Sequence, residues 1–335
     1  MPAACIFGCA GPELDPEEAA FFRDADPWGF IVFARNIKAP DQLRCLTGDL
    51  RDSVGRDAPV LIDQEGGRVA RMTAPHWRRY PPALDQAASV RPADQARSFF
   101  LRGFLIGSEL AAVGIDVNCT PLADIAEPAT HPILRNRLYG ETPDQVTANA
   151  RALAEGQAAA GVLSVLKHLP GYGRAHVDSH LALPVVDAEL SKLTGWDFAP
   201  FRALADMPLG MTAHIVLDAV DPGRAATVSQ KVIDLIRRDI GFSGFLMTDD
   251  ISMEALDGDV AARGTAALAA GCDAVLHCNG DRADMDLLMQ VCPQLSPEGV
   301  ERSDRADAAR TSPAAIDIDA AASEFEALFA GRADD

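Results

Sequence analysis

The stretch Val162–His180, VLSVLKHLPGYGRAHVDSH, decides the fold. It opens on the apolar run Val162-Leu-Ser-Val-Leu166, passes through Lys167-His168, breaks at Pro170-Gly171 and closes on Asp178-Ser-His180. Lys, His and Asp are costly to bury and build poor cores. Four such groups gathered after an apolar run therefore read as a polar site at the end of a buried strand. Asp178 and His180 lie two residues apart, close enough in a bent loop for the carboxylate to hydrogen-bond the imidazole. That contact would fix the tautomer and favour the protonated ring, which suits a general acid near neutral pH.

Seven more runs of the same character surround this one. With it, they lie near Ala4–Cys9, Gly29–Phe33, Val60–Asp63, Ile115–Thr120, Val162–Lys167, Leu209–Ile215, Gly244–Thr248 and Ala274–Cys278. Amphipathic helical stretches separate most of them. Asp15-Pro16 followed by Glu18 reads as an N-cap, a proline at the first helical position and a capping-box partner, and Thr142-Pro143 with Gln145 repeats the pattern. Ser229 opens a helix over Gln230–Arg238, with Val232, Ile233, Leu235 and Ile236 on its apolar face and Gly241 as its stop. Eight strands alternating with helices over about 280 residues predict an α/β fold, a single (β/α)8 TIM-type barrel. An open doubly wound sheet is the alternative, but no Gly-x-Gly-x-x-Gly follows the first strand. One domain is expected over residues 1–335, with the barrel in about 1–292 and a polar, helix-prone tail in about 293–335 packing outside it.

Composition narrows the function. A formal charge of −19 with no offsetting basic stripe argues against nucleic acid, anionic membranes and polymeric anionic substrates, and leaves a small ligand held by a few placed cations. No run approaches the roughly 18–20 apolar residues of a membrane span. The start, Met1-Pro-Ala-Ala-Cys-Ile-Phe-Gly, has no basic n-region and already reads as strand. Seven cysteines (5, 9, 45, 119, 272, 278 and 292), none in a Cys-x-x-Cys pair, read as reduced residues of a cytoplasmic protein.

In such a barrel the active site forms at the C-terminal strand ends, and the polar residues gather there. Asp63-Gln-Glu-Gly-Gly-Arg68-Val-Ala-Arg71 follows the third strand, while Asp124 and then Arg135-Asn-Arg137 follow the fourth. Lys167-His168 ends the fifth, His214 the sixth, and Thr248-Asp249-Asp250 the seventh. Each also has a bland explanation. Asp63 or Asp250 could cap a helix, Arg68 could form a solvated pair with Glu65, and His214 reads equally as a satisfied core histidine. Their shared placement favours function. A strand-end carboxylate facing Arg, Lys and Asp suits carbohydrate, with Asp249 as nucleophile and the Asp178–His180 pair as acid/base.

At this point the residues resemble a family. Asp63-Gln-Glu-Gly-Gly-Arg-Val, Lys167-His-Leu-Pro-Gly-Tyr-Gly with Asp178-Ser-His180, and Thr248-Asp-Asp-Ile-Ser-Met253 are similar to signatures of the bacterial β-N-acetylglucosaminidases of glycoside hydrolase family 3, cytoplasmic enzymes of peptidoglycan recycling. The resemblance spans the first strand to about residue 280, with support from Phe33-Ala-Arg-Asn-Ile37, Met211-Thr-Ala-His214 and Gly241-Phe-Ser-Gly244. It implies a (β/α)8-type barrel, Asp249 as nucleophile, His180 oriented by Asp178 as acid/base, and sugar contacts at Asp63, Arg71, Arg137, Lys167 and His168. It implies no cofactor and no metal. The substrate implied is a terminal β-GlcNAc on a GlcNAc–1,6-anhydroMurNAc muropeptide fragment. Two departures stand out: Gly171-Tyr172-Gly173 replaces Gly-His-Gly, and Arg137-Leu-Tyr-Gly140 replaces Arg-Ser-Phe-Gly. The alternatives are a β-N-acetylglucosaminide phosphorylase or another family 3 β-glycosidase, and a metal-dependent barrel hydrolase built on Asp249, Asp250, His214 and His168. A sugar-binding relic is disfavoured because every proposed catalytic residue is present.

Overall fold

A computed structural model describes residues 1–175 and 183–330. Eight strands close a parallel barrel in chain order: β1 (Ala3–Gly8), β2 (Pro27–Val32), β3 (Val60–Ile62), β4 (Val117–Asn118), β5 (Leu163–Leu169), β6 (Leu209–Thr212), β7 (Phe245–Asp250) and β8 (Ala274–His277). Closure is read at β1, where Ile6 is in register with Gly29 of β2 on one side and Leu276 of β8 on the other. The expected (β/α)8 barrel is therefore the fold, and the eight strands fall within the eight apolar runs or overlap them. Two further short strands, Val185–Val186 and Val216–Leu217, pair with each other beside the barrel.

The strands read as unbroken apolar runs because both of their faces are buried. Ile6, Leu61, Val165, Met211, Met247 and Leu276 fill the barrel interior. Their neighbours Phe7, Ile62, Leu166, Leu246 and Val275 point outward into the layer shared with the helices. Among the described residues all seven cysteines are unpaired, and no helix is long and apolar enough to cross a membrane.

Two helix starts differ in detail from expectation. Asp15 caps its helix by accepting from the amides of Glu17 and Glu18, but Glu18 turns away from the cap and accepts from the Ala10 amide at 2.8 Å. A tertiary bond to the loop after β1 thus takes the place of the local box. Gln145 likewise reaches the amide of Glu141, at 3.0 Å, rather than that of Thr142. The helix from Gln230 is α-helical to Leu235 and widens into a π-turn over Ile236–Ile240 before Gly241, whose φ of 84° ends it.

The chain beyond β8 does two things. Helix Ile318–Ala330 lies on the outside, against helix Gln95–Ala111. Helix Pro297–Ala308 instead seals the N-terminal mouth of the barrel. There Trp28 stacks on Phe245 with ring centroids 4.3 Å apart, and its indole N–H donates to Ser303 Oγ at 2.7 Å. Leu295 and Ala306 join the interior cluster. Replacing Ser303 by Ala leaves the buried indole donor unpaired, so stability in urea should fall by about 1–3 kcal/mol. The activity of the folded protein should be unchanged, because catalytic sites of this fold occupy the opposite mouth. A loss of activity without a loss of stability would contradict that placement.

Candidate active site

Among the described residues the candidates come from strand ends and the loops that follow them, and the loop after β3 shows how. Asp63-Gln-Glu-Gly-Gly-Arg-Val-Ala-Arg71 folds back on itself because Gly66 and Gly67, with φ of 91° and 58°, make a turn that L side chains rarely adopt. The amides of Glu65 and Gly66 both donate to Val69 O, at 2.9 and 3.0 Å. Gln64 then zips the loop shut: its Oε1 accepts from the amides of Arg71 (2.8 Å) and Met72 (3.1 Å), and its Nε2 donates to Met72 O at 2.8 Å. Arg71 is thereby returned to Asp63, with its Nη2 3.3 Å from Oδ2, and lies over the face of Phe33, 5.0 Å from the ring centroid.

Lys167, at the end of β5, is buried between two carboxylates. Its Nζ lies 2.9 Å from Asp63 Oδ1 and 2.8 Å from Glu65 Oε1. Glu65 also takes a two-pronged bond from Arg137, 2.9 Å at Nε and 2.8 Å at Nη2. Burial alone would strip the charge from Lys167, but Asp63 and Glu65 outweigh it and hold the ammonium above its usual range. By the same balance, burial raises the carboxyls of Asp63 and Glu65, but Lys167 with Arg71, and Arg137 with Lys167, lower them further. Lys167, Asp63, Glu65 and Arg137 are therefore charged in the folded protein.

His168 and Tyr172 are set by Asp124. His168 Nδ1 lies 2.8 Å from Asp124 Oδ2, and the Tyr172 amide donates to Oδ1 at 2.6 Å. A carboxylate can only accept, so Nδ1 carries the proton and Nε2 is left for the cleft. At the end of β7, Asp249 and Asp250 diverge. Asp249 lines the cleft, its Oδ1 accepting from the Asp250 amide at 2.8 Å. Asp250 bonds to the Ser252 amide (3.1 Å), the Ser252 hydroxyl (2.8 Å) and the Cys278 amide (3.1 Å). Asp63, Arg71, Arg137, Lys167, His168 and Asp249 thus converge on one cleft of about 200 Å³. Asp178 and His180 lie outside the described residues.

Three alternatives left open by the sequence are decided. Glu65 is not the partner of Arg68; it is buried against Arg137 and Lys167, while Arg68 is exposed and donates to Ile133 O at 3.1 Å. His214 uses both ring nitrogens, on Thr227 Oγ1 (2.7 Å) and Asp250 O (2.9 Å). Burial pushes its pKa down, against the nearby Asp249 charge, and it stands in the cleft wall with both nitrogens already bonded. The set Asp249, Asp250, His214 and His168 therefore does not converge on a common point with free donors. Among the described residues, no group of three or more His, Cys, Asp or Glu is arranged to hold a metal ion.

Sequence reasoning missed Glu65 and Asp124 as organisers of the site. Asp124 had a signal: it is a lone carboxylate inside the apolar run Leu122-Ala-Asp-Ile-Ala126. Glu65 had none beyond standing two residues from Asp63.

Residues 15–308 match the glycosyl hydrolase family 3 N-terminal domain. The chain belongs to glycosyl hydrolase family 3. Its similarity to individual family members extends over most of their length. It is 36% identical over 292 residues to the β-hexosaminidase of Methylococcus capsulatus, covering 84% of this chain and 85% of that one. To the β-hexosaminidase of Aromatoleum aromaticum it is 34% identical over 317 residues, covering 92% and 87%. It superposes on NagZ from Neisseria gonorrhoeae in complex with N-trifluoroacetyl-D-glucosamine with a TM-score of 0.83 and 29% identity, covering 99% of this chain and 97% of that one. This family 3 chain is thus a glycoside hydrolase, and its cleft is built of the charged groups described above.

Glu65→Gln leaves Arg137 with a neutral partner and Lys167 with Asp63 alone. Removing one member of a buried ion pair costs about 3–5 kcal/mol. The folded pKa of Glu65 is depressed, so its stabilisation is present above the unfolded value of about pH 4.3 and is lost as pH falls through the folded value. Urea unfolding across acid pH should show lower stability for Glu65→Gln at neutral pH and a shallower acid decline. Parallel curves for wild type and variant would refute the charged assignment.

Proposed function

We propose that this family 3 glycoside hydrolase is a retaining exo-β-N-acetylglucosaminidase. It removes terminal non-reducing β-GlcNAc, with GlcNAc–1,6-anhydroMurNAc muropeptide fragments of cell-wall recycling in the cytoplasm as its substrates. The observation that carries the reading is the convergence of Asp249 with Asp63, Lys167, Arg71, Arg137 and His168 on a single cleft. The relatives named β-hexosaminidase, and the neighbour bound to N-trifluoroacetyl-D-glucosamine, support the substrate class.

The cleft groups divide the work. Lys167, Arg71 and Arg137 donate to sugar hydroxyls, Asp63 accepts, and His168 presents Nε2 because Asp124 occupies Nδ1. Holding one sugar in this way brings its anomeric carbon to Asp249, the group at the end of β7 that faces the cleft. An Asp249 oxygen bonds to the anomeric carbon as the glycosidic bond breaks, and His180, oriented by Asp178, protonates the departing oxygen. The same imidazole then takes a proton from water, which displaces Asp249 and releases the sugar with retained configuration. Water is the only co-reactant.

A 2-fluoro sugar that traps the covalent intermediate should label Asp249, and Asp249→Ala should abolish turnover while the folded protein still binds GlcNAc. Aryl β-GlcNAc should be turned over far faster than aryl β-glucoside. Labelling of Asp250, or equal kcat/KM on the two substrates, would overturn the assignment.

His180→Ala should slow the disaccharide, whose leaving group needs a proton, by about 10²–10⁴-fold, the usual worth of a general acid. Activated aryl glycosides should suffer much less. An equal loss on both substrates would mean that the acid lies elsewhere.

A further inference from the structure

Helix Gln95–Ala111 lies outside the barrel, yet it sends one side chain back to the site. Arg102 is fully buried. Its Nε (3.2 Å) and Nη2 both donate to Glu65 O, and its Nη1 donates to Pro81 O (2.8 Å) and Gln86 Oε1 (2.7 Å). Among the described residues, every hydrogen-bond acceptor of this buried cation is neutral. That is an expensive way to make a structural tie, because a buried cation with no directly bonded counter-ion recovers little of the hydration it loses. A neutral side chain would hold a carbonyl at lower cost. The carboxylate whose charge acts on Arg102 is that of Glu65, the residue whose carbonyl it grips.

The backbone is shaped to admit the guanidinium. A Cβ on Gly66 would stand 2.3 Å from Arg102 Nη2 and 2.8 Å from Tyr80 Cβ, so only glycine lets the fork reach the peptide. With the Glu65 amide on Val69 O and the carbonyl on Arg102, both main-chain groups of Glu65 are fixed. Its side chain then extends the other way, onto Arg137 and Lys167.

We infer that Arg102 is a positioning residue for sugar binding: it fixes the Glu65 peptide so that the Glu65 carboxylate aligns Arg137 and Lys167 toward the cleft. The inference rests on the proposed role of those two cations in holding the sugar.

The test is calorimetric titration of the folded protein with GlcNAc, which reports the competent fraction as stoichiometry and the quality of the site as Kd. Arg102→Lys and Arg102→Gln should leave the stoichiometry unchanged and weaken Kd on the order of ten-fold, as expected when binding groups are displaced slightly. With aryl β-GlcNAc as substrate, KM should rise while kcat per competent site changes little, the pattern of lost uniform binding. Gln86→Leu, which removes only the neutral support of Nη1, should weaken Kd less and in the same direction. It serves if the Arg102 variants fail to fold. A falling stoichiometry with unchanged Kd would reduce Arg102 to a structural role and overturn the inference. Lys167→Met separates the two claims. If it leaves Kd unchanged, the sugar-binding role of the cations fails, and this inference fails with it. If it weakens Kd while the Arg102 and Gln86 variants do not, only this inference fails.

Discussion

The ammonium of Lys167, held between Asp63 and Glu65 with Arg137 closing the far side of Glu65, is the constraint around which the rest of the site is arranged. A buried lysine keeps its charge only where carboxylates outweigh the loss of water. The carboxylates come from the loop after β3 and the arginine from the loop after β4, so three consecutive strand ends are tied by charge. Stability alone does not call for such a cluster, since well-packed apolar residues often serve as well. The proposed function gives it a use, because donors and acceptors already held in place need not reorganise when a sugar arrives.

Chemically identical side chains are sorted within this frame by where their hydrogen bonds go. Asp249 and Asp250 are adjacent, and strand alternation sends them to opposite sides. Asp250 saturates its oxygens on Ser252 and the Cys278 amide, while Asp249 keeps a cleft-facing position. His168 and His214 divide in the same way: Asp124 takes one nitrogen of His168, whereas Thr227 and Asp250 take both of His214. The two mouths of the barrel divide as well. The charged cleft groups gather at the C-terminal ends, and at the N-terminal end Trp28, Phe245 and Ser303 seal the core with a helix from beyond β8.

Much of this was legible in the sequence because its causes are local. Strand runs, the Ser229 cap and the Gly241 stop depend on residues within a few positions of one another. So does the placement of Asp63, Lys167 and Asp249 at strand ends, once eight runs imply a barrel. The capping partners assigned to Glu18 and Gln145 failed where a more distant or adjacent amide outbid the local one.

Charge, composition and strand spacing by themselves determined the α/β barrel and the strand ends that carry the polar groups, and pointed to a small polar ligand. Pairing was decided only by the tertiary structure. Asp63 and Lys167 are 104 residues apart, and Glu65 and Arg137 are 72 apart. Barrel closure brings each of these pairs within hydrogen-bond reach. No local pattern distinguishes a Glu65 that pairs with its neighbour Arg68 from one that turns inward to Arg137 and Lys167. That choice follows from which cations lose their water when the strands close, and an ion stripped of water must find its counter-charge wherever the fold has placed one.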